Sequence, residues 1–376
     1  MPRLATTFAI FRHYDWPLII VASILAAIGF AAIYSVDLSR GGSLVYFSTQ
    51  LIAFMIGAGG LFFVARSHMS LYQAAAPAGY AAALLLLAGV LIFGETIRGT
   101  TGWFRFGGWS FQPAEFAKAA LILFLGWLIQ RQGRRFDRPQ FVILSGLVTG
   151  AIVLLILLQP DVGSVAIIAS LWFGLLLLTG VKKLHLAALL GIGAAAFFLA
   201  WFFLFQDYQK DRLVTFFRRD TELLDAGYNV NQSIIAIGAG AWLGRGLGFG
   251  SQSQLHFLPE AQSDFIFAVI AEELGFVGAS IVLTLYGLLI WRLIRIAGSC
   301  RSDFGAYTVL GIALIIFIQV LMNIGAAAGL LPVTGLPLPF LSYGGSALII
   351  NLILIGIAES IARGTAEQRS PAVIYG

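Results

Sequence analysis

Long apolar stretches separated by short polar ones run along the chain from residue 17 to residue 362. A helix needs about 20 apolar residues to cross the hydrocarbon core of a bilayer. Ten stretches meet that length: approximately 17–36, 44–64, 71–94, 113–130, 140–158, 162–180, 184–206, 264–291, 304–330 and 344–362. They predict an all-α integral membrane protein of ten transmembrane helices, with residues 1–376 as one polytopic domain. The first stretch is signal-like but full length and without an obvious cleavage site, so it is expected to stay as an anchor. The only long connection, 207–263, joins helices seven and eight. Its aromatic and apolar content argues for an ordered loop. Within it "SIIAIGAGAWLG" (233–244) is too short to span and reads as re-entrant or interfacial, and "RLVTFFRR" (212–219) reads as lying at headgroup level.

Basic residues set the orientation. With an even number of spans both termini share a side, and fourteen Arg and Lys fall there, among them Arg131, Arg138, Lys182, Lys183, Arg292 and Arg295. The short loops opposite hold only Arg40, Arg98 and Arg105. Positive residues concentrate on the cytoplasmic side, so both termini are expected there and the 207–263 and 331–343 loops outside. The net charge of +5 mostly reports this topology and gives no reason to expect nucleic acid. One cysteine, Cys300, excludes an internal disulfide and a multi-cysteine metal site, and the four histidines are scattered.

Any chemistry must then come from the bundle and its loops, and ionisable groups inside a membrane are the best pointers because each is costly. Glu115 and Lys118 in "FQPAEFAKAA" are three apart and share a helix face. They form either a structural ion pair or a charge site on a central cavity. Asp161, in the "LLQPDVGS" turn, is placed to cap helix six. Asp264, in "FLPEAQSDFIFAVIAEELG", stands at the outer start of segment eight, where it is either a cap or a general base whose pKa desolvation raises. On a continuous helix Glu272 would lie about 12 Å deeper and could share the Asp264 face, with Glu273 nearly opposite. In "GRGLGFG" (244–250) exposed amides plus Arg245 would cradle a phosphate, or the glycines simply make a flexible tip. The Pro/Gly-rich "NIGAAAGLLPVTGLPLPFLSYGGS" (323–346), with Gln319 and Asn323 on the preceding helix, is a binding site or a plain turn.

Five blocks in order, "FQPAEFAK", "LLQPDVGS", "NQSIIAIGAG", "FLPEAQSDFIFAVIAEELG" and "GLLPVTGLPLPFLSYGGS", resemble the SEDS family (shape, elongation, division and sporulation), and "PVTGLPLP" is similar to its RodA branch. The resemblance implies a bacterial peptidoglycan glycosyltransferase. It would polymerise lipid II, with its undecaprenyl tail, at the outer face of the cytoplasmic membrane, beside a class B penicillin-binding protein and other elongation-complex proteins. The family's essential acid falls on Asp264, its intramembrane pair on Glu115 and Lys118, its "QPD" aspartate on Asp161, and the aromatic residue that matters upstream of "QP" on Trp103, with Trp109 the alternative. Ser342, in the "FLSYGGS" block, joins the site-supporting group with Glu272. Three departures stand out: Ser263 in place of threonine, no proline in "FFRRDTELLDAG", and alanines in "GAGAWLGRG". No organic cofactor is expected. Leaving pyrophosphate needs charge stabilisation, from Arg212, Arg245 or a divalent cation (Mg²⁺ or Mn²⁺). A lipid flippase and a non-catalytic scaffold are the competing readings.

Overall fold

A computed structural model describes residues 14–367 apart from 98, 107–108, 134–135, 137, 204, 206–209, 211–213, 215 and 217–225. Ten helices are long and apolar enough to cross a membrane. In chain order they are α1 (Trp16–Ser39), α2 (Val45–Ala65), α3 (Met69–Phe93), α4 (Pro113–Gln132), α5 (Pro139–Leu157), α6 (Val162–Thr179), α7 (Lys183–Phe203), α10 (Ile266–Ser299), α11 (Asp303–Ala327) and α12 (Gly345–Glu367). Between the seventh and eighth lie α8 (Ala226–Ala239) and the single turn α9 (Ser251–Gln254). The ten spans match the ten apolar stretches and make the chain a multi-pass membrane protein. Hydropathy did not announce one addition, a three-stranded antiparallel sheet of β1 (Glu95–Ile97), β2 (Thr100–Phe106) and β3 (Trp109–Phe111). It carries the chain across the top of the bundle into α4.

Burial follows the expected helical spacing. In the lower part of α10 the buried residues are Val282, Tyr286, Leu289, Leu293 and Ile296, a stripe three or four apart, while Phe276, Val277 and Ile281 face outward as apolar lipid-side groups. Small residues let α2 and α12 close up: Gly57 seats against Leu352 and Ile349, and Gly356 against the backbone of Leu61. No residue of α7 is buried, so this span stands off from the others. Phe136, Phe141 and Trp127 belong to a smaller apolar cluster at the opposite end, against which Leu186 and Leu189 of α7 rest.

Two contacts fix the vertical scale. At one end Arg292 of α10 grips Asp15 through three N–H···O bonds of 2.7–2.9 Å. At the other, Ser35 of α1 donates to the Glu273 carboxylate. Twenty residues separate Asp15 from Ser35, about 30 Å of helix and one hydrocarbon thickness. We call the Ser35–Glu273 end outer, following the arginine count.

Segment eight departs from expectation. It is not one span descending from Asp264. Gly275 takes φ 68° and ψ −166° inside α10, a conformation open to glycine and closed to other residues. The backbone crossing there is tight: Phe276 and Val277 N–H bond the carbonyls of Ala241 and Trp242, while Arg245 and Gly246 N–H bond those of Glu272 and Glu273. Residues 265–273 are all buried, unlike the one-sided descent after the break. The upper arm therefore rises from Asp264 to Glu273, and the span proper starts after Gly275. Glu272 is about 12 Å above Asp264 rather than below it.

Candidate active site

Two independent rulers give the depth of Asp264. Leu341 packs against Gly29 of α1 so closely that an added Cβ would sit 2.6 Å from its carbonyl oxygen. Gly29 is six residues below Ser35, about 9 Å. The next residue, Ser342, donates through Oγ to the Ser263 carbonyl at 2.5 Å. On the other side Asn323 of α11 donates to the Asp264 carbonyl at 3.0 Å. Counting up α11 from the shared inner turn also puts Asn323 about 9 Å below Glu273. The 331–343 loop thus dips into the outer half of the membrane and meets the Asp264 turn there. Such irregular backbone is tolerated at this depth because protein, not lipid, surrounds it.

The turn is held by its own backbone. Ser263, Asp264 and Phe265 N–H groups all point at the Glu260 carbonyl, at 3.1–3.3 Å. Gln262, Ser263 and Asp264 offer their carbonyls to Tyr343 N–H, Ser342 Oγ and Asn323 Nδ2 in succession. The residue at the helix cap is Phe265, which makes no side-chain cap bond. The Ser263 hydroxyl donates to the Glu260 carboxylate at 3.0 Å instead of capping the helix. Asp264 is partly exposed while its successors are buried. Gln50 of α2 clamps the facing loop, donating to Ser342 O at 2.9 Å and accepting from Gly344 N–H at 3.0 Å. Burial pushes the Tyr343 phenol up, partly offset by a hydrogen bond with Thr49, so it stays neutral at physiological pH.

Asp161 is the cap that its turn suggested. Its carboxylate accepts from Ser164 N–H at 2.9 Å and Ser164 Oγ at 2.7 Å, with Gln112 Nε2 at 3.5 Å. It sits beside the same loop: at Gly163 an added Cβ would lie 2.5 Å from Thr334 O. Asp161→Ala is expected to lower stability by about 1 kcal/mol through the lost cap, with the melting temperature of detergent-solubilised protein as the measurement. An unchanged melting temperature would count against a capping role. Trp103 lies in β2, paired in register with Glu95, and its neighbour Gly102 is buried beside Gln159 of the Asp161 turn. Trp109, in β3, pairs with Phe106.

Glu115 and Lys118 form one buried pair, Nζ to Oε1 2.7 Å, with side chains 4% and 1% exposed. Gly311 meets Ile122 and Gly126 meets Thr308, and continuing that antiparallel register sets Glu115 level with Gln319, one turn below Asn323. The ion pair therefore lies beneath the Asp264 turn.

The remaining candidates separate from this group. Glu272 accepts from Gln252 N–H (2.8 Å), Ser253 N–H (3.2 Å) and Ser251 Oγ (3.4 Å), so it holds the start of α9. Glu273 accepts from Ser35, Gly248 N–H and Gln254. Both acids staple the 244–254 loop. Of the 244–250 amides expected to cradle phosphate, those of Arg245, Gly246 and Gly248 are spent on Glu272 and Glu273, and those of Gly244 and Phe249 on the carbonyls of Gly240 and Gly246. The Arg245 side chain is exposed, and it reaches Ala239 O at 3.3 Å and Ser251 Oγ at 3.1 Å. Arg212 and most of 212–219 lie outside the described residues. The 233–244 segment is helical to Ala239 as part of α8, whose Ser233 Oγ bonds Ala327 O at 2.7 Å. Among the described residues no group of three or more His, Cys, Asp or Glu could hold a metal ion.

Gln50 and Gln262 escaped the sequence reading as site residues, and Asn323 was named there only as a polar group beside the Pro/Gly-rich block. Their signal was available, since each is a buried polar side chain in or beside an apolar span.

Comparison with known proteins agrees with this arrangement of blocks. Residues 15–367 match the family model FtsW/RodA/SpoVE, described as cell cycle protein. The chain is 41% identical over 293 residues to peptidoglycan glycosyltransferase MrdB of Escherichia coli K12, covering 77% of this chain and 78% of that one. It is 34% identical to stage V sporulation protein E of Bacillus subtilis, over 93% of this chain and 97% of the relative. It is also 33% identical to a probable peptidoglycan glycosyltransferase FtsW of Halorhodospira halophila, over 98% and 96%. Among solved structures, a chain from work on a peptidoglycan synthase complex that coordinates polymerization and crosslinking superposes with TM-score 0.79 at 33% identity, covering 94% of this chain and 98% of that one. The rod shape determining protein RodA of Thermus thermophilus superposes with TM-score 0.71 at 31% identity, covering 93% and 97%. This chain is a member of the FtsW/RodA/SpoVE family, the SEDS proteins.

Proposed function

We propose that this protein is a peptidoglycan glycosyltransferase of the elongation branch, polymerising lipid II at the outer face of the bacterial cytoplasmic membrane. Support for the activity comes from relatives named for it. Support for the branch comes from "PVTGLPLP" (332–339) and the identity to MrdB. The observation that carries the mechanism is the pinned, partly exposed Asp264 in the outer half of the bundle.

The acid sits at that depth because the substrate straddles the same boundary, with its isoprenoid tail in the bilayer and its sugar outside. Asp264 takes the proton from the acceptor's sugar hydroxyl as that oxygen attacks the anomeric carbon of the donor. The bond from that carbon to the pyrophosphate oxygen breaks, and undecaprenyl pyrophosphate leaves with the electron pair. It leaves as an anion, so no second carboxylic acid is required, in contrast to a glycoside hydrolase. Arg245 is held at the Glu272 level, so positive charge for it would come from elsewhere in the 207–263 loop, such as Arg212, or from a cation. A divalent cation would come with the pyrophosphate, held by its oxygens and at most one or two protein carboxylates. Glu115, Lys118, Asp161, Trp103 and Ser342 support the site rather than react. A class B penicillin-binding protein is the proposed partner, in keeping with the synthase-complex chain that this one resembles.

The test uses purified full-length protein with such a partner, lipid II and Mg²⁺ or Mn²⁺, and reads glycan polymer on a gel. Polymer from wild type is the expected result. No polymer, with lipid II crossing vesicle membranes instead, would replace this reading with a flippase.

A further inference from the structure

Asn323 is 3% exposed, on a mostly apolar span that also buries Gln319 one turn below it. Its amide nitrogen has two protons, and both are used on backbone carbonyls of other elements: Asp264 O at 3.0 Å and Leu336 O at 2.8 Å. Its Oδ1 is buried with no hydrogen-bond partner among the described residues. A buried acceptor left unpaired is unfavourable, so packing alone would be served better by an aliphatic side chain of similar volume. The amide's two donations are what such a residue would lack.

We infer that Asn323 is a positioning residue for Asp264, tying the turn that carries the acid to the 331–343 loop and to α11. The inference rests on the reading of Asp264 as general base. The carbonyl of Asp264 lies outside the helical ladder, since Ala268 and Val269 N–H both go to Phe265 O. Three donors hold three successive carbonyls of this turn. Two come from neighbours in one loop, Tyr343 N–H and Ser342 Oγ. The third, on Asp264 itself, comes from a rigid helix. Removing it frees the backbone of the acid to shift relative to α11 while Gln262 and Ser263 stay pinned. A displacement of about 1 Å costs on the order of 100-fold in rate when a reacting group must be held in a near-attack geometry.

The test compares Asn323→Ala and Asn323→Leu with Ser233→Ala in full-length protein under the polymerisation assay above. Leucine matches the volume, removes the orphan acceptor and keeps the fold should alanine fail to. Ser233→Ala removes a buried bond to the same helix, at Ala327, away from the turn. The expected result is a kcat lower by about 10- to 100-fold for both Asn323 variants. KM for lipid II should stay within about threefold, a pattern expected when an interaction made only in the transition state is lost. Ser233→Ala should show a comparable melting shift with near wild-type kcat. If Asn323→Leu polymerises at the wild-type rate, or if kcat tracks melting temperature equally across all three variants, Asn323 is merely structural and the inference fails. Asp264→Asn, run alongside, separates the two claims. An active Asp264→Asn overturns the base itself, whereas an inactive one beside an active Asn323→Leu overturns only the positioning role.

Discussion

Asp264→Asn should abolish glycan synthesis while leaving the protein folded. Asparagine keeps the size but loses the negative charge, and with it the ability to take a proton. General-base catalysis contributes typically 10²–10⁴ in rate, which would put residual polymer at or below gel detection. The fold should survive because the contacts that pin this turn are made by the backbone carbonyls of Gln262, Ser263 and Asp264. Asp264→Glu is more informative still. It restores a carboxylate but moves it by one methylene, so about 100-fold loss is expected rather than total loss. Initial polymerisation rates and melting temperatures of the three proteins decide the matter. Wild-type rates from Asp264→Asn would remove Asp264 from the chemistry.

Lys118→Ala should be the most destabilising single change in the bundle. It leaves Glu115 buried at 3% exposure without its 2.7 Å partner, and breaking a buried pair from one side costs about 3–5 kcal/mol. Glu115→Ala should behave alike, stranding the ammonium. Replacing both residues with apolar side chains of similar volume, Glu115→Leu with Lys118→Met, should recover most of that loss, because the desolvation of both charges then disappears as well. The double variant also separates the two meanings that the spacing left open. If it is stable and polymerises normally, the pair is a structural one within α4. If it is stable and inactive, the charges serve the reaction from beneath the Asp264 turn. A double variant no more stable than either single one would contradict the ion-pair account.

Much of this molecule was legible before any coordinates. Ten apolar stretches are ten helices because the bilayer demands that length and satisfies no backbone groups by itself. The Glu115–Lys118 pair followed from three-residue spacing in a helix, and the Asp161 cap from an aspartate just ahead of an apolar run. These are local facts, decided within one turn of chain. What misled was continuity. An apolar run from Phe265 to Trp291 looks like one span, and only the φ of Gly275, enforced by backbone from residues 241–246, shows that it doubles back. That reversal put Glu272 above Asp264 rather than below it, where it holds the 244–254 loop, and brought Asp264 down to Asn323 and Ser342.

The sequence alone therefore determined the membrane class and the number of spans, because both depend on composition and the length of apolar stretches; the arginine count gave an expected orientation, and the family resemblance pointed to Asp264. Tertiary structure alone decided the depth of that acid and the residues that hold it. Those depend on hydrogen bonds between the Asp264 turn and residues 59 and 79 positions away from their partners, and hydropathy carries no record of which distant backbone groups will meet.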